Sequence, residues 1–185
     1  MDWWKYCEEY AAYIVKNDIK YYMELDVDKI TGYDQVLKFR AFLEEKTKRP
    51  CVPVWHVNRG LEDWKAVCDR YQYVAIGGLK SEVGRERWKY LQYFIDEAHR
   101  RGARVHGLGF TRVKEFSRGM ALFDTVDSTT WLKPSSYGTF MVFNGKGITY
   151  KKPPAGMKNG LHNLQMTSMA LKEWIKYADY MERRK

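Results

Sequence analysis

Between Ala103 and Trp131 the chain reads ARVHGLGFTRVKEFSRGMALFDTVDSTTW, and its reactive side chains fall at the ends of apolar runs. RVHGLG delivers His106, Gly107 and Gly109, and MALFDTVD delivers Asp124 and Asp127, with Ser128 behind them. The pattern occurs earlier too. YYMEL runs into Asp26 and Asp28, CVPVW into His56, Asn58 and Arg59, and YVAI into Gly77-Gly78-Leu79. In parallel α/β sheets ligands sit beyond the carboxyl ends of the strands, so carboxylates and histidines placed there can act on a ligand. A carboxylate can serve as nucleophile or base, and an imidazole as hydrogen-bond donor or acid/base group. A glycine pair lets backbone N–H groups approach a planar ligand. Each type also has a plain structural use: Asp caps turns, histidines satisfy strand ends, and a glycine pair makes a tight turn.

The elements that must position these residues alternate. Amphipathic spacing predicts a helix over Trp3–Lys16, then a strand over Ile19–Leu25 and a helix over Tyr33–Glu45. A strand follows over Cys51–Val57, with Pro53 marking an edge or irregular spot. Next come a helix over Leu61–Arg70, a strand over Tyr73–Ile76, and a helix over Arg85–Arg101 stopped by Gly102. Strands near 104–108 and 121–126 are joined by a brief helix around Val113–Ser117. This alternation predicts right-handed βαβ units and a parallel sheet, with Asp26, His56, Gly78, His106 and Asp127 along one rim. Beyond Trp131 a hairpin is expected, Thr139–Phe143 with Ile148–Lys151, and then a closing helix over Leu164–Arg184. No internal repeat or interdomain linker interrupts the chain, so a single domain over 1–185 is expected.

Composition sets outer bounds. Apolar residues make up 45% and aromatics 16%, which excludes disorder. Net charge is +9 with an isoelectric point near 9.3, and this suits a polyanionic partner such as nucleic acid. The cations expected to meet phosphates are Arg100, Arg101, Arg104, Lys151, Lys152, Arg183 and Arg184. The cysteines Cys7, Cys51 and Cys68 form no CxxC pair and read as buried thiols of a reducing compartment. The histidines have no Cys or Glu partners at ligand spacing, so neither a metal nor another cofactor is expected. MDWWKYCEEY lacks the basic-then-apolar signature of a signal peptide, and no apolar run reaches membrane-spanning length. A cytoplasmic location without membrane contact is the expectation.

Several strings carry a family resemblance. VAIGGLKSEVG resembles the strand-plus-glycine motif of the tRNA-guanine transglycosylases. HGLGFTRVKEFSRGMALFDTVDS is similar to their later run, in which a helix and an arginine-glycine pair lead to a Phe-Asp strand. His162-Asn163-Leu164 resembles the HNL that opens their closing helix. With its YYMELD, PVWH and VDSTTW strands, the layout is closer still to divergent transglycosylase-like proteins of phages and bacteria, some linked to placing 7-deazaguanine bases in DNA. The resemblance spans Lys20 to Leu164.

It implies an α/β fold of the (β/α)8 TIM-barrel type and exchange of guanine or 7-deazaguanine in tRNA or DNA. In the family an Asp attacks the anomeric carbon, expels guanine and leaves a covalent nucleic-acid intermediate, as a carboxylate does in retaining glycosidases. The Phe-Asp match makes Asp124 that nucleophile, whereas strand geometry favours Asp127; both stay open. Asp26 matches an Asp that recognises the base edge, with Asp28 as its register alternative. His56 stands where the family places a base-contacting Gln, and Gly77, Gly78 and Leu79 would supply backbone contacts. His106 and Gly107 complete the candidate substrate-binding set.

Two departures shape the expectation. The family's early Asp-Ser-Gly-Gly/Ala-Phe strand and its cysteine-rich zinc loop have no counterpart. The barrel is therefore expected to be partial, its N-terminal strands missing, and about five parallel strands cannot close. A partner chain or a second copy would complete it. The other classes in play are a non-catalytic nucleic-acid-binding or accessory subunit that keeps the base pocket, and an unrelated barrel enzyme acting on phosphorylated metabolites. No Gly-rich phosphate loop leading into a helix supports the latter.

Overall fold

A computed structural model describes residues 1–79, 90–110, 123–132, 139–151 and 163–183. The expected helix around Val113–Ser117 and the first turns of the one expected from Arg85 lie outside the described residues, as do His162, Lys152 and Arg184. The described chain forms two compact units, one of residues 1–110 and 123–126, the other from Asp127 onward.

The first unit opens with helix α1 (Trp3–Lys16), whose start is capped by the Asp2 carboxylate accepting from the Trp4 and Lys5 N–H groups. Its face of Cys7, Ala11 and Ile14 is buried, and α1 packs on α3 (Tyr33–Thr47), which buries Val36, Phe39 and Leu43. The short α2 (Asp28–Thr31) lies between them in sequence. Strand β1 (Val54–Trp55) precedes α4 (Gly60–Arg70), β2 (Tyr73–Ile76), α5 (Leu91–Arg100), β3 (Arg104–Gly107) and β4 (Thr125–Val126). The four strands are parallel and lie side by side in chain order, β1-β2-β3-β4. Met23 bridges Val52 in parallel and extends that order by one segment outside β1. The fold is therefore α/β around a parallel sheet, and among the described residues the sheet does not close on itself.

Three of the expected strands are much shorter than their apolar runs. Ile19–Leu25 contributes only the bridge at Met23, Cys51–Val57 only Val54–Trp55 and the bridge at Val52, and the described part of 121–126 only Thr125–Val126. For the first two the cause lies in Pro53 and in a carboxylate from the neighbouring segment. Pro53 has no N–H to donate, and the Val54 N–H donates to the Glu24 carboxylate at 2.7 Å rather than to a backbone carbonyl. The ladder between these segments thus stops after the Val52-to-Tyr22 and Glu24-to-Val52 bonds.

The pleat divides the side chains. Trp55 turns to the helices, where it meets Trp64 and Phe94 with ring centroids 5.0 Å away in each case. Val52, Val54 and Ala75 form a core on the opposite face, with Met23, Tyr73 and Leu108 packed against them. Glu24 and Arg40 form a buried ion pair at 2.6 Å. Burial works against the Arg40 charge, but the Glu24 bond and charge outweigh it and raise the guanidinium pKa.

In the second unit, β5 (Phe140–Phe143) and β6 (Ile148–Lys151) make the expected antiparallel hairpin. The Asn144 side chain accepts from the Lys146 and Gly147 N–H groups, and Gly145 sits at φ +87°. Helix α6 (Asn163–Glu182) packs on β5. Its Glu173 accepts from the Phe143 N–H at 2.7 Å, and its Trp174 indole donates to the Met141 sulfur. No helix among the described residues is long and apolar enough to cross a membrane.

Candidate functional site

The residues that end neighbouring parallel segments converge. Asp26 follows the Met23 segment, His56 follows β1, and Gly77 follows β2. Asp26 Oδ1 and His56 Nε2 are 2.7 Å apart. The His56 side chain is 5% exposed and that of Asp26 39%, so the imidazole forms an inner wall and the carboxylate an open side. Gly77 makes this possible. A Cβ there would stand 2.9 Å from His56 Cε1 and 2.8 Å from Val54 Cγ1, closer than real Cβ contacts come. Gly78 has a separate reason to be glycine, a left-handed φ of +65°. Leu79 behind it is buried.

Asp28 joins the same cluster from the start of α2. Its Oδ2 accepts from Arg59 Nη2 at 2.7 Å, while Arg59 Nη1 donates to the Val54 carbonyl at 2.6 Å. The guanidinium lies 3.9 Å above the Tyr33 ring, and the Tyr33 hydroxyl donates to Asp63. Burial alone would raise the Asp28 carboxyl. The Arg59 bond, the nearby His56 and Arg59 charges and the Lys29 N–H outweigh it and hold the pKa below the ordinary value. Arg59 thus ties the residue two after Asp26 to the residue two before His56, which fixes both strand ends.

His106 is buried lower on the sheet. It pairs in register with Ala75, two residues before Gly77, so it lies about 7 Å nearer the amino ends of the strands. Its Nδ1 meets the Thr125 hydroxyl at 2.6 Å and the Tyr73 hydroxyl at 3.4 Å, and the two hydroxyls also bond to each other. Gly107 is packed against Phe123, whose ring a Cβ would meet at 2.8 Å, and Phe123 in turn packs on Phe110. In the described structure its missing side chain makes room for that ring.

The two candidate nucleophiles are placed differently. Asp124 precedes β4, its N–H donates to the Val105 carbonyl, and its Oδ2 accepts from the Val105 N–H at 2.7 Å and meets His99 Nε2 at 2.8 Å. Its carboxylate joins the start of β4 to β3 and to the end of α5. Asp127 directly follows Val126, is exposed, and opens the second unit. The structure therefore brings together Asp26, Asp28, His56 and Gly77, and sets His106 and Asp124 nearer the amino ends of the strands.

Sequence reading missed three supports of this cluster, Glu24, Tyr33 and Arg40, and placed Arg59 at a strand end without its bond to Asp28. Glu24 carried a signal, a carboxylate in an otherwise apolar run, which requires a buried partner. Nor did spacing indicate that Asp26, Asp28 and His56 each place one ligand atom within 4.8 Å of the others. Searches against protein-family models, curated proteins and solved structures find no match.

Proposed function

We propose that this chain binds guanine or a 7-deazaguanine, presented by tRNA or DNA, at the carboxyl ends of its parallel strands, and exchanges it as a partial (β/α)8-barrel relative of the tRNA-guanine transglycosylases. The observation that carries the reading is the Asp26–His56 pair across neighbouring strand ends, with the glycine backbone of Gly77 and Gly78 beside it. Guanine offers an N–H and an amino group on one edge and a carbonyl on the next. A carboxylate can accept from the first two, and an imidazole or backbone N–H can donate to the third. The resemblance supplies the nucleophile as Asp124 or Asp127. The reading keeps both, although Asp124 already holds the Val105 N–H and His99. The nucleophile's carboxylate oxygen would bond to the anomeric carbon as the carbon–nitrogen bond to the base breaks, and an incoming base would reverse the step.

The second reading is a non-catalytic base-binding or accessory subunit, favoured by the engagement of Asp124 in joining β3, β4 and α5. Calorimetry with guanine and a radiolabelled-guanine exchange assay on tRNA and duplex DNA separate the two. Binding that Asp26→Asn weakens about tenfold or more is expected on both, through loss of a charge-assisted pair. Exchange abolished by one of Asp124→Asn and Asp127→Asn identifies the enzyme and its nucleophile, and binding without exchange identifies the accessory subunit. A chain that binds no guanine refutes both.

A further inference from the structure

We propose that Asp26, Asp28 and His56 form a binding site for a divalent transition-metal cation. One imidazole nitrogen and one oxygen of each carboxylate lie within 4.8 Å of one another. Around a cation with bonds of about 2.1 Å, adjacent ligand atoms stand about 3 Å apart and opposite ones about 4 Å. Asp26 Oδ1 and His56 Nε2, at 2.7 Å, are already near the adjacent spacing. The Asp28 oxygen lies within 4.8 Å of both.

The surroundings suit such a centre. The His56 side chain is 5% exposed, Asp28 14% and Asp26 39%, so the ligands grade from a buried wall to an open mouth. A cation held by three protein atoms on one side keeps positions for water or an incoming ligand on the other. The imidazole is pinned, with Nε2 turned toward Asp26 and the ring lying against the Gly77 backbone. Arg59 supports Asp28 from outside the ligand set, and is itself fixed by the Val54 carbonyl and the Tyr33 ring. Ligating carboxylates are ordinarily held by such outer hydrogen bonds, which orient them and set their basicity. One imidazole with two carboxylate oxygens suits Zn²⁺, Mn²⁺ or Fe²⁺, whereas Ca²⁺ takes oxygen ligands and more of them.

The inference does not rest on the base-exchange reading; a cation and a base edge are alternative occupants of Asp26 and His56. The competing account is that an Asp–His hydrogen bond and an Asp–Arg ion pair complete these groups without a cation. Calorimetric titration of the chelator-stripped full chain with Zn²⁺ and with Mn²⁺ distinguishes them. One saturable equivalent is expected, weakened about tenfold or more by Asp28→Asn and by His56→Gln. In the unsubstituted chain Mn²⁺ should broaden the His56 imidazole resonances before those of His99, His106 and His162, a readout that does not depend on either variant folding. No saturable binding, binding that both variants leave unchanged, or earlier broadening of another histidine would overturn the proposal.

Discussion

The imidazole of His56 occupies the space in which any residue but glycine at position 77 would carry its Cβ. Gly77→Ala must therefore move either the ring or the strand backbone. It should cost about 1–3 kcal/mol in urea denaturation, the usual penalty for overpacking a core, and a stability unchanged within error would show that the ring moves freely. Asp28 gives a pH signature. Its carboxyl is held below the ordinary value of 3.8 in the folded chain. The stability it contributes is complete above that ordinary value and is lost as pH falls through the lower folded one. Asp28→Asn should flatten the acid limb of stability against pH, and an unaltered limb would mean that Arg59 does not stabilise the carboxylate. The cysteines follow the same logic in reverse: burial pushes the Cys7 thiol up to about 11 and the Cys68 thiol up to about 12. All three thiols should resist alkylation at pH 8 in the native chain and react in denaturant.

At the scale of elements, β4 is the strand whose pairing depends most on a side chain. It has only two residues, and Asp124 supplies the bond from the Val105 N–H and the contact with His99 that anchor its start. Asp124→Ala should destabilise the chain by about 1–3 kcal/mol, the cost of leaving a partly buried backbone donor unpaired. Thermal or chemical denaturation measures it, and a neutral result would show that the Asp124 carboxylate does not hold β4 in place. The helices α1, α3, α4 and α6 and the β5–β6 hairpin were legible in the sequence because their signals are local: apolar spacing along the helices, and Asn144-Gly145 at the turn. Strand lengths were not, because the β1 ladder is cut short by a carboxylate 30 residues away. The same divide holds for the site. Asp26, His56, Arg59 and Gly77 could be read as strand-end residues, whereas the tie from Arg59 to Asp28 could not, since the two are 31 residues apart.

For the whole molecule, the sheet order sets one expectation and the charge another. Among the described residues no strand pairs with the outer edge of β4 or of the Met23 segment, and unpaired edges invite a further strand. Light scattering should give a mass above the 22.0 kDa of one chain, or reveal a co-purifying partner; a lone monomer would refute that expectation. The net charge of +9 bears on nucleic acid, but its carriers are unequal. Arg101 is already bound to Asp69 and Glu97, and Arg100 to Glu97. Arg104 rests over the Tyr21 and Tyr73 rings, while Lys151 and Arg183 are exposed. Each cation that neutralises a phosphate adds about 0.9 to the slope of log affinity against log salt on duplex DNA. Lys151→Ala and Arg183→Ala should each lower that slope by close to one, whereas Arg101→Ala should leave it nearly unchanged. Fluorescence anisotropy of labelled tRNA and duplex DNA at several salt concentrations reads the slope directly. Affinity that does not respond to salt would mean that the basic charge is a solvated face and not a phosphate-binding one.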